Sequence, residues 1–405
     1  MCRRKQPLRN VALILAFSYF GIIGLPTSAT GQGNPIWELQ RQLNELNQRV
    51  SDLEAASERV DVTVHCPTEK VADALARPAG RLFITVIGVC VESVTIFRNS
   101  FTLQGASPED GLVAPGLGSA ILTINGGHRV TLRQLTLSGG AYGLRAMGGA
   151  SFAASSLHIM GSGSAGVNVY DNASGVISDS TVEDGDQIGV LVEGGGALTF
   201  IGGSVRGNDS YGVWARGGYV SLRGGAVVQN NLFHGITAEV GGAVDVGGVT
   251  VENNGGFGVV AFSGGSASVH SGSIIRENAV GLAAQFGGAV QLHSLARVEN
   301  NGGSGISLGA GSSATLFNGT VDGNRGNGVE IIGGSAVNIR SSTISRNHQN
   351  GIALNDASVV VFDNSSGANQ IIGNTGFGIA CAPPPAVPQL FGPIPVTAKN
   401  EFCPP

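Results

Sequence analysis

The sequence predicts an all-β fold, a single-stranded parallel β-helix of about 23 residues per coil, preceded by a short coiled-coil helix. Three observations predict it: a glycine that recurs at a nearly fixed interval, apolar residues that alternate with period two, and a long internal stretch without proline. The glycine recurs at steps of 23 residues six times, then 24, 23, 23 and 27, at Gly143, Gly166, Gly189, Gly212, Gly235, Gly258, Gly281, Gly305, Gly328, Gly351 and Gly378. We call these the motif glycines.

Each repeat divides into three short strands separated by turns. Inward-pointing residues such as Val213 and Ala215 follow the motif glycine, and a second strand holds pairs such as Val244 and Val246. A third strand is marked, sixteen residues after the glycine, by Ile159, Val182, Val205, Val228, Val251, Ile274, Val321 and Ile344. Three strands and three turns describe one coil of a parallel solenoid, in which equivalent positions stack about 4.8 Å apart.

Asparagine and proline support this stack. Four residues before the motif glycine stand Asn208, Asn231, Asn254, Asn301, Asn324, Asn347 and Asn374. Asparagine tolerates a left-handed backbone, and its amide can bond to the same amide in the next coil. None of the 15 prolines lies between Gly116 and Ala382, as expected where every strand is central. The eight prolines of the last stretch indicate a cap that covers the open edge.

The N-terminal residues are typical of an export signal. Four basic residues precede a short apolar run at 11–23, and small residues that suit cleavage follow at 27–29. A retained membrane anchor is the alternative. We expect cleavage after Ala29, a secreted or periplasmic protein, and no stable membrane span after that cleavage.

The cysteines agree with export to an oxidising compartment. After loss of Cys2, four remain: Cys66, Cys90, Cys381 and Cys403. Four cysteines allow three pairings, and proximity in sequence favours Cys66–Cys90 and Cys381–Cys403. A zinc site is the alternative, but the spacings are unlike those of paired cysteine ligands.

Residues 36–60 follow the three- and four-residue spacing of a coiled-coil seam. The seam residues are Ile36, Leu39, Leu43, Leu46, Val50, Leu53 and Val60, with Ser57 as the polar interruption. The alternative is a single amphipathic helix that lies on the neighbouring domain. We expect a homo-oligomer through residues 36–60, with dimer and trimer both open.

These observations divide the chain into four parts. They are a signal peptide at 1–29, a linker and coiled-coil segment at 30–60, a β-helix at 61–380 and a proline-rich, disulfide-closed cap at 381–405. Within the β-helix, residues 61–115 form an N-terminal cap and the first irregular coils, with a short helix expected in "PTEKVADALAR" at 67–77.

The segments "LFITVIGVCVESVTIFRNSFTLQGA" and "SAILTINGGHRVTLRQLTLSGG", followed by the stacked "NxxxG" coils, resemble bacterial right-handed parallel β-helix proteins of the pectate-lyase-like superfamily. The resemblance covers about residues 61–380 and implies the right hand. Members include polysaccharide lyases, glycoside hydrolases, epimerases and adhesins, so the fold does not give the activity. The Asp-Asp pair and the Gly-His-Gly of polygalacturonase-like hydrolases are absent.

Stacking brings outward residues of neighbouring coils together around Trp214. The predicted neighbours are Glu193, Arg216 and Glu239, flanked by Tyr170 and Phe262. Aromatic faces stack on sugar rings while charged groups bond to hydroxyls or carboxylates, which makes these six a candidate substrate-binding set. The alternative is a Glu–Arg–Glu salt-bridge ladder that only stabilises the solenoid.

A second candidate is acidic. Asp186 and Asp209 occupy the same position in successive coils, so a cation such as Ca²⁺ would bridge them, Arg206 would compensate them, or one would have a raised pKa. With Arg206 they are the candidate catalytic centre, and by themselves the candidate metal ligands. Two turn aspartates that point apart into water are the alternative. His270 and His293 stack in the same way, but no third metal ligand is evident.

The regular short coils leave no loops to wall a cleft, which disfavours catalysis. The leading prediction is therefore a secreted β-helix that binds a polymer along an outward face without catalysis, most simply a polysaccharide or cell-surface glycan. The alternatives are a polysaccharide lyase or glycoside hydrolase that acts on an acidic polysaccharide, and a structural surface spacer or adhesin. The net charge of −5 gives no reason to expect nucleic acid.

Overall fold

The computed structural model describes residues 42–46, 58–381, 389–392 and 400–401. Residues 1–55 and 56–405 form two units. In the second unit, three parallel sheets run along the whole solenoid. The sheets have 15, 14 and 13 strands, and each of the 13 described coils from Arg81 to Cys381 contributes one strand to each sheet. The predicted parallel β-helix of about 23 residues per coil is confirmed.

The strands of the three sheets are as follows. Sheet 1 contains Arg59–His65, Arg81–Ile87, Phe101–Gly105, Val130–Arg133, Ser151–Ser155, Ser174–Ser178, Ala197–Ile201, Tyr219–Arg223, Ala243–Gly247, Ser266–His270, Ala289–His293, Ser313–Phe317, Ala336–Arg340, Val359–Asp363 and Gln389–Phe391. Sheet 2 contains Val94–Ile96, Ala120–Asn125, Tyr142–Met147, Ala165–Val169, Ile188–Glu193, Val213–Arg216, Ile236–Glu239, Phe257–Phe262, Val280–Gln285, Ile306–Leu308, Val329–Ile331, Ile352–Leu354, Ile379–Cys381 and Asn400–Glu401. Sheet 3 contains Val89–Val91, Gly111–Val113, Thr136–Ser138, His158–Met160, Thr181–Glu183, Ser204–Arg206, Val227–Gln229, Thr250–Glu252, Ile274–Arg276, Arg297–Glu299, Thr320–Asp322, Thr343–Ser345 and Gln370–Ile372.

The interior is a continuous apolar stack. Val190 pairs with Val213 and Val213 with Ile236, and all three are buried. The inward side chains of each coil are buried against those of the coils on either side. This contact supplies the hydrophobic stabilisation that a single coil cannot gain alone. The motif glycine is required because a Cβ at Gly212 would lie 2.7 Å from the carbonyl oxygen of Gly235, too close for any side chain.

A buried asparagine ladder lines the turn between sheets 3 and 2. The side-chain Nδ2 of Asn231 donates to Oδ1 of Asn254 at 2.9 Å, and the backbone N–H of Asn231 donates to the same oxygen at 3.1 Å. The bonds repeat from Asn208 to Asn374. Asn278, which the four-residue rule misses, fills the place between Asn254 and Asn301.

The same coil corrects one predicted position. Ile275, and not Ile274, pairs with the inward Val251 and is fully buried. One extra residue between sheets 1 and 3 moves the third strand along, and the turn from Asn278 to Gly281 is one residue shorter than usual. The two changes cancel, which is why the 23-residue glycine spacing hides them.

The N-terminal end is closed by the predicted helix, which spans Val71–Leu75. The buried Glu92 carboxylate accepts the N–H groups of Val71 at 2.7 Å and Ala72 at 3.1 Å, where a helix start leaves donors unpaired. The predicted Cys66–Cys90 disulfide is present. The β-helix begins at Arg59, two residues before the expected boundary, so Val60 lies in a strand and not in a coiled-coil seam.

At the other end, the proline-rich segment also contributes strands. Gln389–Phe391 extends sheet 1, and Asn400–Glu401 extends sheet 2. Cys381 is disulfide-bonded, while its predicted partner Cys403 lies outside the described residues.

Residues 42–46 of the first unit are helical, with Leu43 and Leu46 about half exposed. The rest of the predicted coiled-coil segment up to residue 57, and the predicted signal peptide at 1–29, lie outside the described residues. None of the described helices is long and apolar enough to cross a membrane.

Candidate functional site

The outward face of sheet 2 brings the predicted neighbours of Trp214 into register. Trp214 pairs with Leu191 in the preceding coil and Thr237 in the next. Arg216 is likewise paired in register with Glu193 and Glu239. The stacking order predicted from the glycine spacing therefore holds for this face.

The side chains of this group make different contacts from those of a salt-bridge ladder. Nε1 of Trp214 donates a hydrogen bond to Oε2 of Glu239 at 3.1 Å. The Arg216 guanidinium lies 5.7 Å from the centre of the Trp214 ring, and no ion pair joins Arg216 to another described residue. The Glu–Arg–Glu ladder is thus absent from this part of the chain, because Glu239 bonds to the indole and Glu193 accepts from Asn168 at 3.3 Å.

An aromatic cleft opens beside Trp214, with a volume of about 560 Å³. The Tyr211 ring lies 4.8 Å from Trp214 and 5.5 Å from Phe233, centre to centre. The His234 ring stacks on Phe233 at 3.9 Å and lies 4.9 Å from Phe257. The cleft lining is Tyr211, Phe233, His234, Thr237, Glu239, Gly256, Phe257, Phe262, Ser263, Ala279, Val280 and Phe286.

The aromatic residues converge because they occupy equivalent places in successive turns. Tyr211, His234 and Phe257 each stand one residue before a motif glycine, and Phe233 stands two before. Sequence reasoning identified Trp214, Glu239 and Phe262 but missed these four, because it looked for outward-facing site residues only at positions after the glycine. The signal was present in "SYG", "LFHG" and "GFG".

Two polar groups lie at the buried base of the cleft. His234 is 4% exposed, and burial lowers its pKa to about 4, so the imidazole is neutral at neutral pH. Its Nδ1 accepts the backbone N–H of Phe257 at 3.0 Å, which places the ring proton on Nε2. Thr237 is 2% exposed, and its hydroxyl has no hydrogen-bond partner within the described part of the chain.

Glu239 is the sole charged residue in the cleft lining. Burial, and secondarily the nearby Glu239 carboxylate, raise the pKa of the Tyr211 phenol, so the hydroxyl stays protonated and can donate. The cleft therefore combines several aromatic faces with a few hydrogen-bonding groups, which is the usual make-up of a ligand pocket.

The structure separates the remaining predicted site residues. Phe262 lines the cleft, 5.9 Å from the His234 ring and 6.0 Å from Phe257. Tyr170 lies apart from Trp214 and belongs to a second aromatic group, in which the Arg145 guanidinium lies 4.7 Å from the ring centres of both Tyr142 and Tyr170.

The acidic candidates do not form the predicted centre with Arg206. Nε of Arg206 is 2.6 Å from Oε2 of Glu183, so this arginine compensates Glu183 and not the aspartates. Asp186 and Asp209 are both exposed. Within the described residues, no three His, Cys, Asp or Glu side chains are arranged to hold a metal ion, and calcium at Asp186 and Asp209 stays a prediction.

His270 and His293 do stack, with ring centres 5.2 Å apart. Each has a protein partner: His270 Nε2 lies 2.7 Å from Asp245, and His293 Nε2 lies 3.0 Å from the Ser268 hydroxyl. These contacts account for both rings as structural residues of sheet 1.

Comparisons with known proteins agree with this architecture. The A-module of the Azotobacter vinelandii mannuronan C-5 epimerase AlgE6 is similar over 77% of this chain and 93% of its own, at 16% sequence identity and a TM-score of 0.51. A double mutant of the periplasmic alginate epimerase AlgG is similar over 79% of this chain and 84% of that chain, at 14% identity and a TM-score of 0.44. At 16% identity the likeness to the AlgE6 A-module concerns the fold alone. No curated protein sequence matches the chain. A family model described as a right handed beta helix region matches residues 92–233 and 225–382, and the chain therefore belongs to the right-handed β-helix family.

Proposed function

We propose that this protein binds a polysaccharide along the outward face of sheet 2, with the aromatic cleft as its principal contact. The observation that carries the proposal is the group of aromatic rings around Trp214, Tyr211 and Phe257, which surrounds a cleft on an otherwise regular surface. Sugar rings present C–H-rich faces that pack against aromatic rings, and a polymer can occupy several neighbouring coils at once.

The polar groups of the cleft suit a hydroxyl-rich ligand. The Thr237 hydroxyl is buried beneath the cleft and finds no partner among the residues that the structure describes, and an unpaired buried hydroxyl is costly. A sugar hydroxyl that enters the cleft as the side chains adjust can both donate to and accept from Thr237. The Tyr211 hydroxyl and the Glu239 carboxylate add a donor and an acceptor at the same place.

The same geometry favours binding without catalysis. A general acid needs a pKa near the working pH, but the pKa of His234 is about 4 and its Nδ1 is already occupied. Asp186 and Asp209 are exposed, and the arginine expected to work with them is held by Glu183. These contacts provide no assembled acid–base pair in the cleft.

Two further observations support a polysaccharide outside the cytoplasm as the target. The AlgE6 A-module, whose fold is similar, is by its name an epimerase that acts on mannuronan. The Cys66–Cys90 disulfide suits an oxidising compartment, so we propose export to the periplasm or the cell exterior.

Size-exclusion chromatography with light scattering tests the proposal. The protein is incubated with size-graded neutral and acidic polysaccharides, with and without calcium. We expect intact polymer to co-elute with the protein, and co-elution to be reduced by Trp214→Ala. Shortened polymer would show an enzyme and direct attention to Asp186, Asp209 and Arg206. If no polymer co-elutes or is shortened, the proposal is wrong, and a structural spacer or adhesin becomes the better interpretation.

A further inference from the structure

The two arginines of sheet 2 differ from those of sheet 3. In sheet 3, Arg206, Arg276 and Arg297 each form an ion pair with a glutamate. In sheet 2, neither Arg145 nor Arg216 lies within ion-pair distance of a carboxylate in the described part of the chain. An arginine without a counter-ion on a protein surface is available to an anion from solution.

Arg145 is also held in place. Its guanidinium lies 4.7 Å from the ring centres of Tyr142 and of Tyr170, which come from successive coils. The Tyr170 hydroxyl donates to Sδ of Met147 at 2.9 Å and so fixes the second ring. Aromatic faces attract a guanidinium and restrict its rotation, so little side-chain entropy remains to be lost when a ligand binds.

The polar atoms around Arg145 are incompletely satisfied. Nε of Arg145 is buried and has no hydrogen-bond partner among the described residues. Its register neighbour Asn168 is 1% exposed, and Oδ1 of that residue is also buried and without a partner in this part of the chain, while Nδ2 donates to Glu193. Arg145, Asn168 and Thr237 belong to one outward column of sheet 2, and each contains such an atom. Buried polar groups without partners are uncommon in proteins, so their presence in one column points to a ligand along it.

We propose that Arg145, held between Tyr142 and Tyr170, binds the carboxylate or sulfate group of an acidic polysaccharide whose neighbouring rings occupy the aromatic cleft. This inference rests on the proposed function and adds the chemical class of the ligand. A guanidinium fork matches a carboxylate or a sulfate with two parallel hydrogen bonds, whereas the lining of the cleft contains no cation. Arg145 and Trp214 are three coils apart, about 14 Å, so one chain could contact both.

Binding of three size-matched oligosaccharides to the full chain tests this assignment: one neutral, one made of uronates and one sulfated. Affinities are measured by calorimetry at two salt concentrations, for the wild type and for Arg145→Gln, Arg145→Lys and Arg133→Gln. Arg133 is an exposed arginine at the end of a sheet 1 strand, so its replacement changes the net charge equally on another face. Circular dichroism confirms that each variant is folded.

We expect Arg145→Gln to weaken binding of one or both acidic oligosaccharides about tenfold or more, and to leave binding of the neutral one unchanged. Arg145→Lys should recover only part of the loss, because lysine keeps the charge but not the planar fork. Arg133→Gln should have no effect beyond the weak salt-dependent change of net charge. The uronate and sulfated arms identify which anionic group is bound.

Other results would overturn the inference. Equal loss of neutral and acidic binding in Arg145→Gln, or no loss at all, would remove Arg145 as an anion site. Binding of the neutral oligosaccharide alone by the wild type would reject the acidic class while the proposed function stands. Failure of all three oligosaccharides to bind would reject the proposed function itself.

Discussion

The indole Nε1 of Trp214 donates a 3.1 Å hydrogen bond to the Glu239 carboxylate one coil further on. This bond ties the largest aromatic ring of sheet 2 to the residue that supplies the charge of the cleft. The ring is therefore positioned before a ligand arrives, and Glu239 bonds to the indole and not to Arg216 as a salt-bridge ladder would require. Trp214 is also one of only two tryptophans in the sequence, which makes it a fluorescence reporter.

Replacement of Trp214 by alanine should weaken polysaccharide binding about tenfold, because a stacking surface is lost. Trp214→Phe should weaken it less, since a ring remains without the bond to Glu239. In a Trp37→Phe background, which keeps Trp214, titrations that follow the fluorescence of Trp214 would give the reference affinity. Calorimetry would give the affinities of the Trp214 variants. Tyr219→Ala, which removes an exposed aromatic ring from sheet 1, is the matched control and should bind normally. Equal losses of affinity in Trp214→Ala and Tyr219→Ala would mean that the cleft is not the site.

The sequence predicts much of this site, because register follows from periodicity. The glycine spacing alone places Trp214 between Leu191 and Thr237, and Arg216 between Glu193 and Glu239. The hydrogen-bond and ion-pair partners of the side chains are harder to predict than the register, because each long polar side chain has several possible partners at similar distances. The spacing places Arg206 beside Glu183, its register partner in the coil before, and also near the turn aspartates, but it does not show that Arg206 bonds to Glu183.

Other features do not show in the glycine spacing, because an inserted and a deleted residue in the same coil cancel. The one-residue shift that makes Ile275 and Asn278 the inward and ladder residues leaves the glycine interval unchanged. The cleft was missed for a simpler reason: its rings at Tyr211, His234 and Phe257 stand immediately before the motif glycine, at a position whose residues were not compared between coils.

The asparagine ladder predicts a position-dependent loss of stability. Asn301 is fully buried and has ladder neighbours on both sides, so Asn301→Ala leaves donors and acceptors of the adjacent coils unpaired. We expect a loss of about 1–3 kcal/mol in the free energy of unfolding. Asn374→Ala, at the partly exposed end of the ladder, should cost clearly less. Urea denaturation of the two variants measures the difference, and equal costs would contradict a cooperative ladder.

Burial of His234 predicts an acid-sensitive fold. Its pKa falls from 6.5 in the unfolded chain to about 4 in the folded protein, so between these values the unfolded state binds the extra proton. The stabilisation is fully present above pH 6.5 and is lost as the pH falls toward 4, by roughly 3 kcal/mol in total. Urea denaturation between pH 7.5 and 4 would show this slope.

A His234→Gln variant isolates the contribution of this residue. Burial also lowers the pKa of His293, which adds to the wild-type slope in the same pH range but remains in the variant. The pKa of the Glu183 carboxyl is lowered by its bonds to His158 and Arg206, and that of Asp322 by its bond to Arg346, so these two carboxyls act at lower pH. His234→Gln should be less stable at pH 7 and less dependent on pH below 6.5. An unchanged slope would show that His234 is not the source.

The Cys66–Cys90 disulfide closes a loop over the N-terminal end of the solenoid, with a sequence separation of 24 residues. By loop entropy, its removal should destabilise this end by about 3 kcal/mol. We expect a lower melting temperature for the Cys66→Ser, Cys90→Ser double variant, and for the wild type in dithiothreitol. Because solenoid coils contact only their neighbours, hydrogen exchange should rise first in strands Arg59–His65 and Arg81–Ile87. Uniform exchange along the solenoid would contradict a local role.

We expect the helical segment at 42–46 to mediate self-association of the protein. Leu43 and Leu46 are 52% and 47% exposed on helix 42–46, at the spacing of a coiled-coil seam. An oligomer would cover them and would also multiply weak polysaccharide sites through a high effective concentration. Light scattering should give a multiple of the 41.0 kDa chain mass, reduced by the signal peptide if it is cleaved. Leu46→Glu should reduce this mass to that of the monomer and weaken binding to long polymers more than to short oligosaccharides, whereas Asn44→Glu, off the seam, should change neither. A monomeric wild type would leave the single amphipathic helix as the correct interpretation.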